Sequence, residues 1–372
     1  MKNKLAQHSL KILLCDFDDI RNPLLAAGQA QATFAFGQRL AQKGHRLIVL
    51  ASRYPGSKDR IDHGIEYRHI GLGTPNVRIN NFAYIFFLPF SLLWRKADIV
   101  VECFTAPMST LCTPLFTKRP VVVIPSCFDA ERFAKLYHFP VQAIEKWGMQ
   151  FYKYFLPFSS AVEAKIRMHR PNAICKIVPE GVDESFFQIK RKKAKHILFL
   201  GRMDMEQKGI DLLLKAYKLI EKKHVLPLVI AGNGPDAEKV QSLINELKLN
   251  DQVKMIGATY GAKKHQALSE AAFVVLPSRD ETFSCFAVEA LAAGLPTISF
   301  DIPGLSWTDA NSCLKVKPFS IEGLAKQMIS LSNPERNQRM GRAARQFATQ
   351  FSWDHMADDY EQFFMDVYQR NI

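Results

Sequence analysis

Two carboxylates, Glu281 and Glu289, stand eight residues apart across a change of local pattern. Ahead of them an apolar run, Ala271 to Leu276, breaks at Pro277-Ser278. The polar turn Arg279-Asp280-Glu281 follows, and a helical pattern opens near Ser284. This order predicts a strand, a loop and a helix N-terminus. Glu281 then falls in the loop at the strand's C-terminal edge, where open α/β sheets place ligands. Glu289 falls in the helix and faces the same crevice if the loop turns sharply. The backbone N–H groups of Thr282, Phe283 and Ser284 at the helix start suit an anion such as a diphosphate. A solvated loop Glu and a helix-surface Glu would give the same spacing, so the rest of the chain has to decide.

The chain is built to position such a loop. Lys11 to Cys15 reads as a buried strand. A helix face at Ala32, Ala35, Phe36 and Leu40 follows and stops at Gly44, and Leu47 to Ala51 reads as a second strand. That is a βαβ opening, suited to a parallel sheet. Asp98 to Glu102 and Pro120 to Pro125 are two further strands, and Ile174 to Asp183 a strand and turn. The charged stretch 188–195 has no apolar pattern and reads as a linker. Strands then restart at His196–Leu200, Leu228–Ala231, Val253–Gly257 and 273–277, with Pro296–Phe300 the last, before a final helix from Asp354 to Tyr368. The expected organisation is a first α/β domain over 1–187, a linker over 188–195, a second over 196–352, and a closing segment, 353–372. Gly232 and Gly234, followed by Pro235 and Ala237, satisfy G-x-G-x-x-A. That match carries little weight away from the fold's opening strand.

Composition sets bounds. The 372 residues suffice for two domains, and 48% hydrophobic against 23% charged residues is a globular balance. Seven separated cysteines with no C-x-x-C pair exclude an obvious zinc site and fit a reducing compartment. The opening residues hold only a short apolar run interrupted by acid, so no signal peptide is expected. The net charge is +13; residues 1–182 carry 24 Lys and Arg against 13 Asp and Glu, a balance of +11. A basic first half fits an anionic partner such as a phospholipid surface, nucleic acid or acidic glycan, and also a merely soluble basic surface. Phe82 to Trp94 is the most apolar stretch, too short to span a bilayer; it reads as a core helix or as a segment lying in the lipid interface. Residues 128–169 read as largely helical, with aromatics interleaved by lysines. Aromatics packed inward under snorkelling lysines explain them more simply than nucleic-acid binding, so no nucleic-acid partner is expected.

The segment P-S-x2-E-x7-E-A-x-A-x-G-x-P, Pro277 to Pro296, resembles the retaining nucleotide-sugar glycosyltransferases of family 4, which have the two-domain GT-B fold. The resemblance covers essentially the whole chain and is strongest over 196–300. It implies two Rossmann-like parallel-sheet domains facing a cleft, with the last helix crossing back to the first domain. It places Glu281 by the transferred sugar, Glu289 on the ribose hydroxyls, and Arg202 and Lys208 on the diphosphate. Fixed cations aimed at a leaving diphosphate lower the barrier as its charge develops. Arg202 offers planar two-point contact and Lys208 a point charge. Gly232 and Gly234 match a donor-site loop. Gly28 matches one of a glycine pair near donor and acceptor, with Ala27 in the other place.

The implied reaction moves a sugar from a nucleoside-diphosphate sugar to a hydroxyl acceptor. The acceptor is a glycan or lipid-linked, as in cell-envelope polysaccharide, lipopolysaccharide or glycolipid synthesis. No cofactor or essential metal is implied. The expected location is cytoplasmic, with an anionic membrane surface as a further partner. The chain departs from the family in lacking a His at 126–129 and in keeping only Gly304 of two glycines near 304. Those departures leave room for an inactive GT-B scaffold. Asp16-x-Asp18 after an apolar strand also resembles the first motif of Mg-dependent haloacid-dehalogenase-type phosphatases, but no convincing downstream set accompanies it.

Overall fold

The computed structural model describes residues 9–25, 28–105, 112–127, 134 and 141–371. Two compact units emerge, one of residues 1–180 with 353–372, the other of residues 181–352.

In the first unit the strands are β1 (Lys11–Cys15), β2 (Arg46–Ser52), β3 (Arg60–Asp62), β4 (Ile65–Ile70), β5 (Ile99–Thr105), β6 (Val121–Cys127), β7 (Tyr154–Phe155) and β8 (Ile174–Cys175). Their order across the sheet is β3-β4-β2-β1-β5-β6-β7-β8. All neighbours are parallel except the β3–β4 hairpin. β1, β2 and β6 read as unbroken apolar runs because helices cover both faces of a parallel sheet. The helix Gly28–Gln42 links β1 to β2, and Val77–Trp94 links β4 to β5. Asn76 caps the latter, its side chain accepting from the N–H groups of Arg78 and Ile79. The helix Trp353–Gln369 packs on Gly28–Gln42. Phe36 and Tyr360 meet edge to face at 5.0 Å, and Lys43 pairs with Asp358 at 2.5 Å and Glu361 at 2.6 Å.

The second unit is a six-stranded parallel sheet in the order β11-β10-β9-β12-β13-β14. These are β9 (His196–Leu200), β10 (Leu228–Ala231), β11 (Val253–Gly257), β12 (Ala271–Leu276), β13 (Thr297–Phe300) and β14 (Cys313–Val316). The chain steps outward from β9 to β11, then returns to β12 on the other side of β9. Strand order therefore reverses between β9 and β12, the position where such sheets open a crevice at their carboxyl ends.

Several expectations need correction. The division between units falls at Glu180/Gly181, upstream of the expected end of the first domain. The stretch 188–195 is no free linker. Arg191 donates to the carbonyls of Ala271, Ala272 and Gly294, and Lys192 N–H donates to Ser269 O, which fixes this stretch to the second unit. Pro296–Phe300 is not the last strand, since β14 follows it. Within the stretch expected to be largely helical, Tyr154–Phe155 instead forms β7, which pairs with β6. Tyr152 and Phe155 are buried as expected, but Trp147 is exposed. The helix Val77–Trp94 is core on one side only, burying Tyr84, Leu88 and Leu92. Ala27, Phe128 and Asp129, His138, Phe133 and Tyr137 lie outside the described residues.

Candidate functional site

The site forms where β9 and β12 end side by side. After β9, the turn Gly201-Arg202 leads to Asp204, whose carboxylate accepts from Gln207 N–H and caps the short helix Met205–Lys208. Gly209 ends that helix in a left-handed conformation, φ 62°. A Cβ at 209 would fall 1.9 Å from the carbonyl oxygen of Pro277. Glycine is thus what lets the β9 loop lie against the β12 loop. Arg279 also fastens the two loops together. It makes a two-point ion pair with Asp211 at 2.8 and 2.9 Å and donates to Met205 O at 2.7 Å.

This packing brings Lys208 to Glu281. Nζ lies 2.7 Å from Oε1, and Ser278 Oγ donates to the same oxygen at 2.7 Å. The Glu281 side chain is 8% exposed. The turn Pro303–Leu305 closes on it from β13. A Cβ at Gly304 would fall 1.7 Å from Glu281 O. Arg202 does not join this pair. It is half exposed and donates to Asp204 at 3.1 Å and Gln207 at 2.7 Å, one short helix away.

Beyond Glu281 the backbone is strained. Ser284 has φ 72°, uncommon for a residue with a side chain, immediately before the helix Cys285–Ala292. Strain of this kind gathers where a loop is held in a functional geometry. Phe283 does not present its ring to a ligand as a donor-binding residue would. Its ring is buried and stacked on Trp307 at 4.6 Å, and Trp307 Nε1 donates to Phe283 O at 2.7 Å. Any ligand contact at 283 is left to the backbone. Thr282 lies between these anchors and is part-exposed.

Glu289 sits on the helix Cys285–Ala292 and forms an ion pair of 2.5 Å with Lys264, a residue the sequence did not single out. Lys264 lies in the helix Gly261–Glu270, with its ammonium over the rings of Phe186 and Phe286 at 5.3 and 5.9 Å. Burial pushes the Glu289 carboxyl above its ordinary pKa, and the charge of Lys264 only partly offsets that.

Gly232 and Gly234 have a packing reason for being glycine. A Cβ at 232, where φ is 142°, would meet Gly201 O at 1.8 Å, and one at 234 would meet Met203 O at 2.5 Å. They seat the β10 loop against the β9 loop that carries Arg202. Gly28 opens the helix Gly28–Gln42 in the first unit, and a Cβ there would meet nothing within 4 Å. A cavity of about 850 Å³ lined by Arg191, Gly294, Asn337 and Arg345 lies at the other, amino-terminal end of β12 and β13, away from these residues.

The phosphatase reading loses its nucleophile. Asp16 is fully buried and accepts from Thr33 Oγ1 at 2.6 Å and from Asp18 N–H at 3.2 Å. Asp18 is buried too and accepts from Asn22 and from Asp19 N–H. Among the described residues no group of three or more His, Cys, Asp or Glu side chains could hold a metal ion.

Two family models divide the chain at nearly the same place as the fold. "Glycosyltransferase Family 4" matches residues 26–186, and "Glycosyl transferases group 1" matches residues 182–347. The chain belongs to glycosyltransferase family 4. Its fold is GT-B. The family 4 chain superposes on sucrose-phosphate synthase from Thermosynechococcus elongatus with a TM-score of 0.78 at 17% identity, covering 97% of this chain and 99% of that one. It superposes on HepE from Anabaena in complex with UDP and glucose with a TM-score of 0.73 at 14% identity, covering 95% and 98%. In sequence it is 31% identical over 201 residues to a D-inositol 3-phosphate glycosyltransferase of Segniliparus rotundus, 49% of this chain and 44% of that protein. The matched part spans between 21% and 55% of the length of four curated relatives.

Proposed function

We propose that this family 4 chain transfers a sugar from a nucleoside-diphosphate sugar to a hydroxyl acceptor with retention of anomeric configuration. The observation that carries the reading is the Lys208–Glu281 ion pair at the sheet's reversal point, walled by Gly209 and Gly304. Lys208 and Arg202 neutralise the diphosphate as it leaves. In this reading Arg202 exchanges its bonds to Asp204 and Gln207 for the diphosphate. Glu281 bounds the sugar, and Glu289 accepts from the ribose hydroxyls. The donor's C1–O bond to phosphate breaks, and the acceptor oxygen bonds to C1 on the same face. The acceptor's proton passes to the departing phosphate oxygen. No essential metal is part of this reading, in which Lys208 and Arg202 supply the positive charge.

The acceptor is a glycan or a lipid-linked saccharide of the cell envelope, presented at the cytoplasmic side of a membrane. The basic balance of the first half supports that choice. Among the described residues no helix is long and apolar enough to cross a membrane.

The deciding experiment is thermal stability against UDP, GDP, ADP and TDP, each with and without EDTA. A ligand that binds only the native state raises the melting temperature by mass action. A shift with one nucleoside diphosphate that survives EDTA supports the reading and names the donor base. No shift with any of them, or one that needs Mg²⁺, overturns it.

A further inference from the structure

The helix Val77–Trp94 turns its most apolar side to solvent. Ile79, Phe82, Phe86, Phe90, Leu93 and Trp94 are each between 46% and 86% exposed. At 100° per residue these six fall within an arc of roughly 120°. The opposite side carries the buried Tyr84, Leu88 and Leu92, so the exposed side is a continuous face and no fraying end. Soluble monomers rarely display a contiguous aromatic face of this kind without a partner.

The charge around the face selects the partner. Arg95 and Lys96 follow the helix directly, and Lys96 is exposed. The Thr113–Phe116 turn packs on the same helix, exposes Leu115, and leads into exposed Lys118 and Arg119. Among the described residues no ion pair joins any of these four cations to a carboxylate. Neither the helix nor its first turn holds an acidic side chain. The first half of the chain, which contains the helix, also holds nearly all of the net positive charge.

We infer that this helix lies in the plane of an anionic phospholipid surface, with Phe82, Phe86, Phe90 and Trp94 entering the acyl boundary and the flanking cations meeting headgroup phosphates. An in-plane helix combines an apolar face with cations at its margin, and both contribute to binding. At 18 residues with Pro89 inside, this one is short for a span but sufficient for an interfacial helix. Trp94, the most exposed residue of the face, sits at the end next to Arg95 and Lys96, where an amphipathic ring favours the headgroup level.

The test is flotation of the full chain with phosphatidylcholine vesicles and with phosphatidylcholine–phosphatidylglycerol vesicles, at low and high salt. The expected result is binding to the anionic vesicles alone, weakened by salt. Phe86→Ser/Phe90→Ser changes only exposed side chains and should keep the melting temperature. It should reduce vesicle binding by roughly tenfold or more. Lys96→Glu/Lys118→Glu leaves the apolar face intact and should lose the preference for anionic lipid. Absence of flotation, or flotation unchanged in both double variants, overturns the inference. So does a dimer by sedimentation velocity that becomes monomeric in Phe86→Ser/Phe90→Ser without vesicle binding, since the face would then be covered by a second copy. Flotation does not depend on nucleotide binding or sugar transfer, so this inference and the proposed reaction can fail separately.

Discussion

Lys264 Nζ and Glu289 Oε2 lie 2.5 Å apart, and each side chain keeps only 18% of its surface exposed. In the proposed reaction the ribose hydroxyls share the Glu289 carboxylate with Lys264, which holds it ionised and oriented. Lys264→Met leaves that carboxylate buried without its cation. The expected cost is about 3 kcal/mol at neutral pH. Burial already raises the Glu289 pKa in the folded state, and losing Lys264 raises it further. A carboxyl raised in this way loses stability as pH climbs above its unfolded value. The variant's deficit should therefore shrink as pH falls and Glu289 takes up a proton. Thermal melts of both proteins across pH check this, and a deficit independent of pH would contradict it.

Lys208→Ala and Glu281→Gln each remove one side of the 2.7 Å pair. Both should lower sugar transfer by about 10²–10³ while the circular dichroism spectrum is kept. Release of nucleoside diphosphate from the donor identified by thermal shift provides the assay. Full activity in either folded variant removes these residues from the proposed chemistry.

Glycines in and around the loops should separate by what stands against them. Gly209→Ala and Gly304→Ala press a methyl group into backbone oxygens at 1.9 and 1.7 Å, so the β9 and β13 loops must shift away from the Glu281 loop. Transfer should fall by roughly a hundredfold, as a displacement of about 1 Å can cause. Gly28→Ala meets open space. Its stability change should stay within about 0.5 kcal/mol. A loss of transfer in that variant, with stability kept, would show that substrate uses the room beside Gly28.

Asp16 gives a pH dependence of the opposite kind to that of most carboxylates. Burial pushes its carboxyl up to about 7, against the hydrogen bonds from Thr33 and Asp18. Between pH 3.8 and about 7 the unfolded chain has lost this proton and the folded chain keeps it. Stability from this group therefore falls as pH rises through that window. Neighbouring Asp19 behaves conversely: burial acts against ionisation, but Arg60 and His69 hold its pKa well below the ordinary value. Asp16→Asn should match the wild type near the acid end of the window and be more stable above it, by up to a few kcal/mol. Urea titrations at about pH 5 and about pH 8 measure the difference.

Much of this arrangement can be read from the chain because parallel strands buried on both faces leave unbroken apolar runs. KILLC, VVVIPSC and AAFVVL mark β1, β6 and β12 without further information. The β3–β4 hairpin lacks an unbroken apolar run, since IEYRHI carries Glu66, Arg68 and His69 and shows only the alternation of a half-buried strand. β14 escapes because CLKV is short and half-buried. In the site, Glu281 is marked by its place in the loop after a strand, while Lys208, Arg202 and Glu289 are marked through the resemblance to family 4. Lys264 is not, because a Lys-Lys pair in a polar helix carries no sign of a partner distant in sequence. The strict need for glycine at 209 and 304 exists only as an approach between two backbones. The run 188–195 misleads for a physical reason: Arg191 seeks carbonyl oxygens at the start of β12, so it looks like a solvated linker while acting as a clamp.

The bridge between Val182 and Ser352 joins the two ends of the second unit, while the Trp353–Gln369 helix belongs to the first. The second unit is thus an insertion with adjoining ends, and the first is discontinuous along the chain. All residues of the second unit precede Trp353, whereas the first unit is completed only by the Trp353–Gln369 helix. Cutting the chain before Trp353 should leave residues 181–352 folded and the opening unit incomplete, with Phe36 and Lys43 stripped of Tyr360, Asp358 and Glu361.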